Sequence, residues 1–295
     1  MAMFKLYRKF RMMFERACFS FSLLGKIHKD CRLIDRNPDP LVKSPKADRK
    51  TYQDLATTAA SQTYPEIAEF EKQSGYAVET AWLADLALHT QVVIKRSPLC
   101  YAHGRVLYSA LCRYLKDLDI SETVSILETG TARGFSSLCM AKALHEMKRS
   151  GTVVTIDQLP HKIPIFWNCI DDMDGKKTRQ ELLFPWQSLV ERYLVFLEGD
   201  SRELLPRLGM QRINIAFLDG AHSREDVLFE FNHVYDSQKI GDLIIFDDYT
   251  VDQYPGIVAA VDEICSSKNY QKQVLKAHQG RGYVVAIKQT SDFGV

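Results

Sequence analysis

Acidic residues recur at the ends of successive short apolar runs in this chain. Glu128 follows Val124–Leu127, Asp157 follows Thr152–Ile156, and Asp200 stands just past Tyr193–Glu198. Asp219 follows Ile213–Leu218, and the pair Asp247-Asp248 follows Leu243–Phe246. Carboxylates gathered at one edge repel each other unless a cation or a proton intervenes. Asp219, Asp247 and Asp248 together offer hard oxygen ligands of the kind that suit Mg²⁺, with room left for water and substrate oxygens. Such an ion holds two neighbouring hydroxyls and acidifies one of them. His222, three residues after Asp219, is a candidate general base, because an imidazole titrates near neutrality. The same residues also suit plainer work, the aspartates as caps of the following elements and the histidine as a solvent-facing helix start.

Positioning such groups needs a sheet, and the chain reads as one. The stretch Ser125–Ala141, SILETGTARGFSSLCMA, runs from a strand through a tight small-residue turn into a helix. Glycines at 130 and 134 let backbone approach a ligand closely, and the helix start offers free N–H groups. Glu128, Gly130, Thr131, Ala132 and Gly134 are therefore candidate cofactor contacts. Ser136 can join the N–H groups in holding a carboxylate. The spacing is not that of a dinucleotide loop, since Ala132 stands where a second glycine belongs. Asp157, ending the second strand, is placed to accept two hydrogen bonds from a vicinal diol such as a ribose.

Strands are expected at Val124–Glu128, Thr152–Asp157, Tyr193–Glu198, Ile213–Leu218 and Leu243–Phe246, with a closing hairpin of Gln271–Lys276 and Tyr283–Lys288. Helices are expected between them at Ser136–Arg149, Arg179–Glu191, Glu203–Leu208 and Arg224–Tyr235, and then at Pro255–Ser267. The alternation predicts an α/β fold, a Rossmann-like doubly wound sheet. One connection is too long. Gln158–Lys177, with Trp167, Asn168, Asp171 and Asp172, reads as a lid or recognition loop, or as an excursion packed on neighbouring helices.

The remaining chain divides into residues 1–50, a basic helix and linker; 51–103, a helical cap; and 104–290, the main domain. Residues 1–50 carry a net charge of +8 and the rest −7. A body that is not basic argues against nucleic-acid binding. Between residues 3 and 24, Met3, Tyr7, Phe10, Phe14, Ala17, Phe21 and Leu24 share one helical stripe, with Lys and Arg mostly off it. That leaves a peripheral contact with an anionic membrane surface, or packing on the body or on a second copy in a homo-oligomer. The seven scattered cysteines hold no C-x-x-C pair, which fits a reducing, cytoplasmic compartment.

With an acid at the strand end, the turn after the first strand resembles motif I of the class I S-adenosylmethionine (SAM) methyltransferases. The segment FLDGAHSREDVLFEFNHVYDSQKIGDLIIFDDY, with EGDSRELLPRL before it and YPGIVAAVDE after it, resembles the metal-dependent O-methyltransferases that modify sugars in macrolide and aminocoumarin antibiotics. The likeness spans residues 104–288. It implies a seven-stranded sheet with its last strand antiparallel, SAM as cofactor, and Asp200 and Ser201 at the adenine edge. It also implies Mg²⁺ on Asp219, Asp247 and Asp248, with the base just after the first of them. Some members carry an aspartate base where this chain has Ala221, and catechol-type relatives carry a lysine in the slot that His222 fills. The implied acceptor is a hydroxyl of a sugar, glycoside or other small-molecule diol. The rival readings are a metal-independent methyltransferase and a non-catalytic SAM-binding scaffold at a membrane surface.

Overall fold

The computed structural model of the chain describes residues 43–277 and 280–290. The amphipathic stripe at residues 3–24 lies outside them. Among the described residues, no helix is long and apolar enough to cross a membrane.

Three helices open the described chain, α1 (Arg49–Ala60), α2 (Pro65–Ser74) and α3 (Thr80–Thr90). Asp48 caps α1 by accepting from the Thr51 amide at 2.8 Å, and Pro65 opens α2 at a position where its missing N–H costs nothing. Helix α4 (His103–Asp117) leads into β1 (Val124–Thr129), α5 (Phe135–Glu146) and β2 (Gly151–Asp157). After the long connection come α6 (Arg179–Leu182), α7 (Gln187–Tyr193) and β3 (Leu194–Glu198). The chain closes with α8 (Ser201–Leu208), β4 (Ile215–Leu218), α9 (Arg224–Tyr235), β5 (Leu243–Phe246), α10 (Pro255–Ser267), β6 (Tyr270–Lys276) and β7 (Gly282–Lys288).

The strands form one seven-stranded sheet of order β3-β2-β1-β4-β5-β7-β6. β1 to β5 are parallel, while β7 runs antiparallel to both β5 and β6. Helices cover both faces, which is why the central strands read as unbroken apolar runs. Neighbouring residues of one strand serve opposite cores. Ile126, Ile215, Phe217 and Ile245 pack with Leu107, Leu111 and Leu138 on one side. Leu127, Ala216, Leu218 and Ile244 pack with Phe231, Ala260 and Val261 on the other.

Residues 179–191 do not form the single helix that their pattern predicts. α6 stops at Leu182, Phe184–Trp186 makes a tighter turn, and α7 restarts at Gln187. Pro185 lacks the N–H that an unbroken helix needs there.

The long connection after β2 is packed in place. Trp167, Asn168, Asp171 and Asp172 are buried, and Asp171 pairs with His89 of α3 at 2.5 Å and with Lys177 at 2.7 Å. Asn168 clamps the segment after α3, donating to the Ile94 carbonyl at 2.9 Å and accepting from the Ile94 amide at 3.2 Å. Tyr52 of α1 donates to the same Asn168 oxygen at 3.0 Å. This excursion ties the helical cap to the sheet. Asn168→Ala strips partners from those buried groups and is expected to cost ~1–3 kcal/mol, read from the midpoint of chemical denaturation. An unchanged midpoint would remove the clamp from the account.

Candidate active site

The strand order reverses between β1 and β4, and a crevice at the carboxyl ends of the strands follows from that switch. The turn after β1 forms one wall. Gly130 and Gly134 both have φ +88° and Ala132 has φ +45°, all in the left-handed region. A Cβ on Gly130 would stand 2.1 Å from the carbonyl oxygen of Asp219. The absence of a side chain there is what lets β1's turn lie against the end of β4.

Several candidate cofactor residues are engaged with one another in this wall. Glu128 is fully buried and accepts from the hydroxyls of Ser136 and Ser137. Burial raises its carboxyl above the usual range, against the lowering effect of those two hydroxyls. The Ser136 hydroxyl is thus turned inward, onto the acid, and Glu128 fastens the helix start to the strand. Thr131 is buried too, its hydroxyl 2.5 Å from that of Thr155.

Asp157 accepts from the amides of Ala132 and Leu159, each at 2.6 Å. Burial raises its carboxyl, and Arg179, 3.8 Å away, pulls the other way. Arg179 is itself buried and donates to the Ala132 carbonyl at 3.0 Å. It braces the turn from behind and was not among the residues that the sequence singled out. Asp200 caps α8, accepting from the Arg202 amide at 2.9 Å and from Gln158 at 3.2 Å. Ser201 opens α8; Glu230, a buried acid, accepts from Thr129 at 2.8 Å.

The second wall is formed by the ends of β4 and β5. Ser223 caps α9 by accepting from the Asp226 amide at 3.1 Å, which sets His222 just ahead of the helix. Tyr254, ahead of α10, stacks on the His222 ring at 4.7 Å between centroids. Asp248 takes φ +54°, so the chain turns sharply as it leaves β5. His222 Nε2 lies 3.1 Å from Asp248 Oδ2. Ligand atoms of Asp219, His222 and Asp248 all lie within 4.8 Å of one another.

Asp247 is placed differently from its two fellow aspartates. It is buried, accepts from Arg281 Nη2 at 2.7 Å, and accepts the Asp248 amide at 2.6 Å on its other oxygen. Arg281, on the approach to β7, also lies 3.4 Å from Asp248. The sequence reading passed over this arginine.

The electrostatics follow from that crowding. Burial, then the neighbouring Asp247 and Asp248, push the Asp219 carboxyl well above the ordinary range. Burial also raises Asp247, opposed by Arg281. Burial acts upward on Asp248 as well, but the His222 bond and Arg281 outweigh it and hold that carboxyl low. His222 is raised, chiefly by its bond to Asp248. The carboxylates of Asp219 and Asp248, close together and short of positive charge, fit a hard divalent cation.

His103 packs beneath this edge, among the rings of Phe135, Phe217 and Tyr283. Burial pushes its pKa down to about 3, so its ring holds a proton too weakly to make a competing base. A cavity of about 610 Å³ opens at the opposite, amino edge of the sheet, lined by Phe70, Tyr114, Arg212, Asp242 and Val285 among others. None of the strand-end acids reaches it.

Sheet order, glycine turn and acid-lined carboxyl edge are together the architecture of the class I SAM-dependent methyltransferases. Residues 127–249 match the family model described as a methyltransferase domain. No curated protein matches it. Among solved structures it is similar to cofactor-bound Rv0187 from MTB, at 15% identity and TM-score 0.51, over 72% of this chain and 92% of that one. It is also similar to the O-methyltransferase TomG from Streptomyces achromogenes, involved in tomaymycin synthesis and solved with SAM, at 16% identity and TM-score 0.49, over 72% and 92% of the two chains. A third similarity is to CalS11, a TDP-rhamnose 3'-O-methyltransferase of calicheamicin biosynthesis, at 19% identity and TM-score 0.44, over 61% and 77%. The first of these shows a shared fold.

Proposed function

We propose that this protein is a SAM-dependent O-methyltransferase acting on a hydroxyl of a sugar or other vicinal diol, with a divalent cation, Mg²⁺ being the natural candidate, at the acceptor. The observation that carries the reading is the His222–Asp248 pair, 3.1 Å apart, grouped with Asp219 beside the glycine turn. The turn at 130–134 and the Asp157 carboxylate are suited to the cofactor's carboxylate and ribose ends. The sulfonium activates the methyl group when SAM is bound, so orientation and deprotonation fall to the protein.

His222 takes the proton from the acceptor hydroxyl, and Asp248 orients the imidazole and stabilises its charged form. Asp219 and Asp248 are the oxygen ligands suited to the cation, which when bound acidifies a coordinated hydroxyl. Tyr254, stacked on the imidazole, keeps the ring's plane. A metal-independent variant of the same reaction has one observation in its favour: Arg281 already supplies a positive charge to Asp247 and Asp248. Activity that survives EDTA selects that variant.

Titration calorimetry tests the reading at its base. SAM or S-adenosylhomocysteine should bind, and Asp157→Ala should weaken binding by ~1–3 kcal/mol, the range for hydrogen bonds to a charged group. Folded protein that binds neither ligand would end the proposal.

A further inference from the structure

Three aspartates converge at the ends of β4 and β5, yet they are not equivalent. Asp247 has both oxygens engaged, one by the Arg281 guanidinium at 2.7 Å and the other by the Asp248 amide at 2.6 Å. Its side chain is 1% exposed. Asp219 and Asp248, with His222, hold the ligand atoms that converge, and Asp247 is not in that group.

Arg281 is held firmly where it stands. Its carbonyl accepts from the Ala277 amide at 2.7 Å across the hairpin, and the next residue, Gly282, accepts from the Tyr249 amide at 2.9 Å. A Cβ on Gly282 would meet the Tyr249 carbonyl oxygen at 2.5 Å. Strand β7 is therefore clamped to the residue that follows Asp248, and the guanidinium arrives beside both aspartates as part of the sheet.

Charge points the same way. Arg281 already offsets one of the three carboxylates, and the Lys95 ammonium acts on Asp247 and Asp248 as well, so the cluster does not need all three acids on one cation. Mg²⁺ in particular is commonly held by one or two carboxylates, with water and substrate oxygens completing its shell. We propose that Arg281 is a positioning residue that withdraws Asp247 from metal coordination, so that Asp219 and Asp248 are the only strand-end carboxylates to hold the cation. The proposal rests on the metal-assisted form of the function given above.

Mn²⁺ binding, read from the electron paramagnetic resonance signal of the free ion, tests it without any acceptor. Asp247→Asn should keep the Mn²⁺ affinity within about threefold of wild type, whereas Asp219→Asn and Asp248→Asn should each weaken it about 30-fold or more. Arg281→Met removes a nearby positive charge and frees Asp247, so it should tighten Mn²⁺ binding about tenfold. That gain should vanish in the double variant with Asp247→Asn, and Arg281→Lys should restore the wild-type value. A merely structural arginine would not raise metal affinity when removed. Asp247→Asn as damaging as Asp248→Asn makes Asp247 a ligand and overturns the proposal alone. Wild-type protein that binds no Mn²⁺ overturns the metal-assisted function and this proposal with it. Should Arg281→Met fail to fold, the comparison of the three isosteric Asn variants decides.

Discussion

His222→Ala is expected to keep the fold and SAM binding and to slow methyl transfer roughly 10²–10⁴-fold, the usual span for a positioned general base. The imidazole lies ahead of the Ser223 cap of α9, outside the helix, and packs against Tyr254 rather than into a core. Its loss therefore removes a proton acceptor without opening a cavity. The pH profile supplies a second reading. Only the neutral imidazole can act as base, so activity should rise with pH as His222 loses its proton. In the metal-free protein that titration lies above the ordinary histidine value, with the Asp248 bond as the first cause. Asp248→Asn should bring it down, as followed by histidine NMR. A His222→Ala enzyme as fast as wild type would remove this residue from the mechanism.

Gly130→Ala is expected to damage both the cofactor cradle and the catalytic wall. The new methyl group would stand 2.1 Å from the Asp219 carbonyl oxygen, with φ at +88°. Backbone must move, because the obstacle is backbone. Strain at such a position costs about 1–3 kcal/mol, and a shift of the Asp219 segment misplaces the acceptor against the donor. A displacement of about 1 Å is enough for a ~10²-fold loss in rate. Differential scanning calorimetry should show a lowered Tm, and SAM binding should weaken in parallel. The comparable change at Gly175, where nothing lies within 4 Å of a built Cβ, controls for backbone conformation alone, since φ there is +99°. Equal effects at the two positions would mean that the contact with Asp219 is not what matters.

Local pattern made the sheet legible. Buried parallel strands leave continuous apolar runs, and β5, α9 and α10 lie where the pattern predicts them. The acids at the strand ends were legible for the same reason, since each ends a run. What they bond was not. Arg281 meets Asp247 from 34 residues away, across the closing hairpin, and Arg179 reaches Ala132 from 47 residues away. No spacing rule connects such pairs. Ser136 read as a cofactor contact because it opens a helix, but the helix start faces Glu128 below it, and the hydroxyl bonds there. The length of the connection after β2 left open a lid or an excursion packed on neighbouring helices, and the segment is packed. Its burial follows from Trp167, packed with Cys169 and Leu182, and from Asn168, whose partners in α1 and the segment after α3 precede the sheet. The break at Pro185 was readable from the sequence, had the proline been given more weight than the apolar spacing around it.

The central claim is that cofactor and cation meet at the carboxyl edge between the Gly130 turn and the Asp219–Asp248 wall. A crystal soaked with S-adenosylhomocysteine and Mn²⁺, measured for anomalous scattering, tests it most directly. The account predicts the ligand along residues 130–134 with its ribose at Asp157, and one anomalous peak between the carboxylates of Asp219 and Asp248. A ligand bound elsewhere on the chain, such as the amino-edge cavity, or a peak remote from these two aspartates, would contradict it.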